Sequence, residues 1–470
     1  MEREPEREDY PYFRIDWARH DPAWSWDAET LWGYDFVIEK DSVIWQECFE
    51  AMLPLMDILE RFGVHYWLKY TGHHSLHLVV PAEAFPRTYR GIPLKSCHQA
   101  VYHRLTVFLN KRARQHYNEH DRHCPPGTNM PYSVNEDTGL LNYPLLREEL
   151  AHFRPWHASI YLAEVRYFWR RVPRDAYGRA EALLDEVMRP YSRQVRSYPP
   201  RPRASKPYVE PAPPGNVTAQ QATEMLGSDE AAERRYAAWL LMLREECSAL
   251  AALYAALADE DADVRWFAAE AVYRFGKADA IHNLLQMPWD DMAGACFVDF
   301  CVKHGPVVLP ALIDALKEQN LRHRWRALPI DRAIARIGET CVPYLDALLD
   351  DPHPDNRQKA EGILARLADV PSVGQALEMS DSKHPKERRR AAQVLSWCDD
   401  PQAWERLVQM TDDKNGAVRK EAIKMLGWVD HPELEGVFRR SLADSSPKVR
   451  RWAERGLEMV RALAPLMEAE

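Results

Sequence analysis

The sequence predicts two architectures in one chain: an α+β domain with a central antiparallel sheet over residues 1–189, and an all-helical repeat superhelix over 217–470. Three observations predict them. An Arg-x-x-Ala unit recurs with a period near 31 beyond residue 220. Period-2 alternation of apolar and polar residues before residue 81 signals strands. Between the halves, residues 190–216 lose all apolar periodicity, and seven prolines fall between Pro199 and Pro214, which reads as an extended interdomain linker.

The 470 residues suit two or three domains, and 46% hydrophobic with 28% charged residues is an ordinary globular composition. No run reaches the ~18 consecutive apolar residues of a membrane span, and the charged start MEREPERE is no signal peptide, so a cytoplasmic protein without membrane contact is expected. Eight scattered cysteines with no Cys-x-x-Cys pair argue against a disulfide framework. With a net charge of -10, any nucleic-acid contact must come from a local basic surface. Arg193, Arg196, Arg201, Arg203 and Lys206 of the proline-rich segment read as a solvated basic linker, with phosphate contact as the alternative.

In the first half, residues 31–41 (LWGYDFVIEKD) form an apolar stretch ending in acids, and residues 43–62 have helical apolar periodicity. After Gly63, residues 64–81 (VHYWLKYTGHHSLHLVVP) read as a strand, a tight turn at Thr71-Gly72 and a second strand. Alternation there puts His73, Ser75, His77 and Val79 on one face and His74, Leu76, Leu78 and Val80 on the other, so one face is core and the other is polar enough to hold a phosphate. Twelve of the eighteen histidines precede residue 160, which places any chemistry in this half.

In the second half the repeat arginines are Arg234, Arg265, Arg324, Arg357, Arg388, Arg419 and Arg450. The one long spacing, between Arg265 and Arg324, hides a degenerate unit near residues 293–296, which makes about eight units. Each pairs an acidic or proline-containing turn, such as DEDADVR or DDPHPDNR, with an amphipathic helix, and a second helix such as 403–410 completes it. A single pair cannot bury its apolar face alone, but a stack can. The repeat arginines are expected to pair with acids of an adjacent turn as a ladder between units. KHPKERRR (383–390) and KVRRW (448–452) are better candidates for a binding face. This half resembles the HEAT family, in its short bacterial form, over residues 218–465.

Residues 25–180 resemble the archaeo-eukaryotic primase superfamily. The resemblance rests on acid-x-acid at a strand end, a helix, the KYTGHHSLHLVVP stretch, and Asp121 followed by PPGTNMPYSVNEDTGLLNYPLL (125–146). It implies a primase-polymerase-like nucleotidyltransferase for DNA replication or repair, with Mg²⁺ or Mn²⁺ held by Glu39, Asp41 and Asp121, and Lys69, Thr71, Gly72, His73, His77 and Ser133 around the nucleotide. Asp35 is an alternative ligand, but it stands four residues of strand, about 13 Å, from Glu39. Two divalent metals need converging carboxylates, and these hard cations prefer oxygen. The implied partners are a nucleoside triphosphate and DNA, with an RNA primer as an option, and a protein on the repeat array. Three positions depart from the family pattern: Ser75 replaces a usual glycine, Asn129 an arginine and Asp137 a lysine. Two cations that would face a triphosphate are thus missing, and a non-catalytic nucleotide- or nucleic-acid-binding scaffold is the alternative. His116, His120, His123 and Cys124 could be read as a zinc site, but the spacing is not that of a zinc motif, and zinc is not expected.

Overall fold

The computed structural model describes residues 14–467 apart from 16–17, 21–30, 43–44, 114–127, 130, 136–137, 139, 160–162, 164, 167–171, 191–192, 196–197, 199–216, 289–290, 319–328, 368–370 and 399. It divides into two compact units: Met1–Asp41, Gln46–Pro207 and Val370–Glu470 form one, and Ser42–Trp45 with Tyr208–Asp369 form the other. The C-terminal repeats therefore group with the α+β region. The proline-rich segment lies largely outside the described residues.

The α+β region is built on four strands: β1 (Phe36–Asp41), β2 (Trp67–Tyr70), β3 (Ser75–Val80) and β4 (Tyr143–Leu145). Their order is β4-β2-β3-β1 and every pairing is antiparallel. The apolar stretch 31–41 is not one strand. It breaks at Asp35, and Leu31–Tyr34 pairs with Ala18–His20 instead. Asp35 is buried, and its Oδ1 accepts from the Ala82 amide at 2.9 Å, fixing the chain after β3. Helix α1 (Trp45–Arg61) follows β1 and is held by Arg147, which pairs with Asp57 and Glu60.

Helix α2 (Leu94–Arg112) is not announced by the sequence, because its polar residues leave no clean apolar stripe. Every residue from Arg104 to Arg112 is buried. One side supports the sheet: Tyr102 packs edge-on against Phe36 at 5.2 Å, and Lys40 Nζ donates to Asn110 Oδ1 at 3.1 Å. The other side meets the C-terminal repeats. Val107 joins the core of that array, His103 Nε2 lies 3.1 Å from the Gly427 carbonyl oxygen, and Arg104 donates to Asp430 at 2.8 Å. Arg104 also donates to the carbonyls of Val187, at the end of helix α3 (Glu181–Met188), and Arg189.

Beyond residue 216 the described residues are helical. The repeat units begin with the helices Ala231–Leu243, Ala262–Phe275, Asp291–His304, Ile330–Ile337, Pro354–Leu367, Pro385–Trp397, Gly416–Leu426 and Pro447–Met467. Asp291–His304 fills the place of the degenerate unit. Ala293–Glu318 is long and apolar enough on composition to cross a membrane, but it is broken at the 3-10 turn Gly305–Val308 and half of it is buried.

The expected arginine ladder forms in part, at three of the repeat arginines, and Arg324 lies outside the described residues. Arg234 bonds Asp259, Arg388 bonds Asp413 and Arg419 bonds Asp444, each through Nε and a terminal nitrogen at 2.7–3.1 Å. The remaining nitrogen donates to two carbonyls of the arginine's own turn, such as Ser382 and Lys383 for Arg388. Arg265, Arg357 and Arg450 make the same carbonyl contacts. At Arg234, Arg388 and Arg419 one guanidinium thus ties its own turn to the next, a contact that needs a fixed spacing between units.

The ladder contacts predict a stability cost and a pH dependence. Arg388→Met or Arg419→Met should each cost about 1–3 kcal/mol, read as a lower midpoint in urea unfolding, because each strands a part-buried carboxylate. The Arg388 and Arg419 bonds hold Asp413 and Asp444 below the usual carboxylate pKa, so this contribution is present above about pH 4 and lost on acidification through the lowered folded values.

Burial lowers the pKa of His103 from 6.5 to about 4. The unfolded chain then binds a proton that the folded one refuses, so acidification from about pH 6.5 towards 4 should loosen the packing of α2 on the repeats. Amide exchange of residues 94–112 should rise over that window in the wild type and rise less in His103→Gln. An unchanged profile would contradict the assignment.

Candidate active site

Glu39 and Asp41 leave β1 on the same face, two residues apart, at the end of the sheet. Across the pairing, Glu39 stands opposite His77 and Asp41 opposite Ser75, and His77 in turn stands opposite Lys69. Glu39, His77 and Lys69 therefore make one row across three strands. His77 Nε2 is 3.3 Å from Glu39 Oε1, and Ser75 Oγ donates to Asp41 Oδ1 at 3.2 Å. The two acids keep some solvent access, with side chains 18% and 30% exposed. Lys69 and His77 are buried.

This burial sets the charges. It raises the Glu39 carboxyl, but the bond and charge of His77 outweigh it and hold the pKa below the usual value. Burial pushes Lys69 down to about 7, with Glu39 opposing, and lowers His77 also. Lys69 thus belongs to the row beneath the carboxylates and is not a surface phosphate contact.

The turn between β2 and β3 needs its residue types. Thr71 closes it: its amide and its Oγ1 both donate to the Ser75 carbonyl at 3.1 Å, and the Oγ1 also accepts from the Ser75 amide. Gly72 has φ +79°, and a Cβ there would stand 2.7 Å from the Leu140 carbonyl oxygen and 2.9 Å from Asn135 Cβ. The paired segments 131–135 and 140–142 lie over the turn, with Tyr132 N bonded to Asn142 O, Asn135 N to Leu140 O, and Thr138 Oγ1 donating to the Gly72 carbonyl.

The sequence-predicted residues fall into three groups. Glu39, Asp41, Lys69, Thr71, Gly72, His73 and His77 come together at this end of the sheet. Ser133 sits in the first of the paired segments, where its carbonyl accepts from Asn142. Asp35 is apart from the pair, bonded to the Ala82 amide. Asp121, Asp137 and the His116, His120, His123 and Cys124 group lie outside the described residues.

Two expectations are corrected. His74 is not a strand residue on the core face: β3 starts at Ser75, and His74 turns from the loop so that its Nε2 lies 2.8 Å from Asp41 Oδ1. His73 stacks edge-on against it at 3.8 Å. The site face is polar only at this end, since Val37, Trp67 and Val79 form a small core on it farther along. His74 and Ser75 are site residues that alternation alone misplaces or passes over. The Thr-Gly turn, which delays the strand to Ser75, is the signal for both.

Among the described residues, no group of three or more His, Cys, Asp or Glu side chains is arranged to hold a metal ion. The Glu39–Asp41 pair offers carboxylate oxygens, the donor type that Mg²⁺ or Mn²⁺ takes, and an incomplete set.

Comparison with known families identifies HEAT repeats at residues 219–294 and 370–458. The mostly helical C-terminal region thus carries HEAT-like repeats, and it follows a small N-terminal α+β region with a four-stranded antiparallel sheet. Solved structures similar to it include the CpcE–CpcF complex of phycocyanin lyase from Nostoc sp. PCC7120, 22% identical, covering 55% of this chain and 100% of that one at TM-score 0.24. The archaeal HEAT-like repeats protein from Thermococcus onnurineus NA1 is 11% identical, with 53% and 99% coverage and TM-score 0.24. Human deoxyhypusine hydroxylase is 19% identical, with 52% and 84% coverage and TM-score 0.20. No curated protein matches the chain.

The turn geometry predicts that Gly72→Ala destabilises more than Gly63→Ala. Both have positive φ, which costs about 1–3 kcal/mol for a non-glycine residue, but a Cβ at Gly63 meets open space. Urea midpoints of the two variants check it, and equal midpoints would contradict the close approach at Gly72.

Proposed function

We propose that the α+β region is a primase-polymerase-like nucleotidyltransferase carried on the HEAT-like array. The observation that carries this reading is the register of β1 and β3. It sets an acid-x-acid strand end, Glu39 and Asp41, beside Ser75 and His77 and next to a tight Thr71-Gly72 turn. In this reading Glu39 and Asp41 hold Mg²⁺ or Mn²⁺ together with Asp121. The metal would clamp the triphosphate and activate the attacking hydroxyl. His77 orients Glu39, while Ser75 and His74 orient Asp41. The turn from Thr71 to His73 presents polar groups and backbone to the incoming nucleotide, and Lys69 stands beneath Glu39 in the same row. DNA, with or without an RNA primer, and a protein bound on the repeats are the partners this reading expects.

A second reading, a nucleotide- or nucleic-acid-binding scaffold without catalysis, is favoured by one feature: Asn129 and Asp137 stand where the superfamily carries cations. A charge-assisted phosphate contact contributes about 1.5–3 kcal/mol, so each loss weakens transition-state binding by ~10–100-fold. The first reading therefore predicts weak, Mn²⁺-favouring primer extension that Asn129→Arg with Asp137→Lys increases. It also predicts that Asp41→Asn or Asp121→Asn abolishes Mn²⁺-dependent binding of nucleoside triphosphate in calorimetry. Triphosphate binding without extension by either protein supports the second reading. Equal binding by wild type and both acid variants contradicts the site itself.

A further inference from the structure

The repeat helices carry a second series of cations, one residue beyond the ladder arginines. At this position Arg389, Lys420 and Arg451 succeed one another in the last three units, at intervals of 31. Four residues farther on, the same helices place Gln393, Lys424 and Arg455. Arg388 and Arg419 turn into the ladder and are committed to aspartates. Of their neighbours, Arg451 and Arg455 are exposed and the Arg389 and Lys420 side chains are 40% and 29% exposed, while Lys424 is 10% exposed and lies beneath them.

The side chains of successive helices meet one another, so the series is a continuous ridge. Gln393 donates to Glu421 at 3.1 Å, and Arg389 reaches the same carboxylate at 3.7 Å. Lys420 and Lys424 lie 3.4 and 3.8 Å from Glu421. Lys424 and Arg455 sit over the two-ring surface of Trp452, at 5.8 and 5.5 Å from a ring centre. One buried carboxylate is thus shared by three cations, and an indole is interleaved between two.

An earlier repeat shows the contrast. Arg235, at the equivalent position, is bonded by Asp261, 26 residues on, at 2.6–3.0 Å. At the same offset from Arg389 and Lys420 stand Asn415 and Ser446, which carry no charge. The acid that neutralises this position early in the array is replaced twice at its end. In a chain of net charge -10, this concentrates positive charge on one local surface.

We infer that the ridge of Arg389, Lys420, Arg451 and Arg455 binds the phosphodiester backbone of a nucleic-acid duplex. Evenly repeated cations on stacked helices match a polyanion with evenly repeated charge. Such a contact positions the duplex without reading its sequence. The inference deepens the proposed function by giving the array a nucleic-acid role, and it is separable from it, because triphosphate binding at Glu39 and Asp41 does not involve the ridge.

The test is fluorescence anisotropy of the full chain with a short labelled DNA duplex, as salt rises from about 50 to 200 mM. The triple charge reversal Arg389→Glu, Lys420→Glu, Arg451→Glu should weaken binding at least tenfold and make the salt dependence shallower. Arg455→Gln should weaken it less, by about one unit of salt slope. If the reversal unfolds the array, the neutral triple to glutamine, checked by its melt, decides in its place. Calorimetric triphosphate binding should be the same in wild type and folded ridge variants, which keeps the two proposals apart. Duplex affinity unchanged by the folded variants, or a wild type that binds polyglutamate but no duplex, would overturn the inference.

Discussion

Helix α2 has no solvent side along its second half, and that constraint organises the unit it belongs to. The sheet needs a cover on the face carrying Phe36, Ile38 and Lys40. The C-terminal repeats offer an apolar end at Trp428 and Val429. The same nine residues, from Arg104 to Arg112, serve both. Polar side chains within so buried a helix need partners, and four of them have these: Arg104 bonds Asp430 and two carbonyls, Thr106 the Tyr102 carbonyl, Asn110 Lys40, and Arg112 Gln194. With that wall in place, β1 cannot shift register without unpairing Lys40, and the positions of Glu39 and Asp41 follow from it.

The repeats solve a different problem with one residue type. A helix pair has no core of its own, so each unit must be clamped to the next at a fixed distance. The ladder arginine does this by bonding the carbonyls of its own turn and the aspartate of the next. Because this structural work falls on one face of the helix, the adjacent position is left open to other uses. Early in the array it is an arginine bonded by Asp261. In the last units it is a row of cations around Glu421.

The 31-residue period exposes the array in the sequence, since turn, cap and ladder all recur with it. The strand-turn-strand at 64–81 is equally legible, because the Thr-Gly turn punctuates an alternating run. What stays hidden depends on contacts distant in sequence. Nothing near residues 94–112 announces that both sides of α2 are covered, because its partners are more than 300 residues away at Gly427 and Asp430. His74 illustrates the same limit at short range: alternation assigns it to the core face, but the turn frees it to reach Asp41. The acid pair is legible as a pair. The lowered pKa of Lys69 is not, since it arises from complete burial between two strands.

The central claim is that the sheet end and the last repeats share α2 and hold together as one body. Hydrogen–deuterium exchange of the full chain with and without Arg104→Ala tests it most directly. Arg104 is bonded to the Val187 carbonyl at the end of α3, to the Arg189 carbonyl and to Asp430. If the claim holds, the substitution raises exchange in residues 94–112, in 416–467 and in β1 together. Faster exchange confined to α2, with β1 and the last repeats protected as in the wild type, would contradict it.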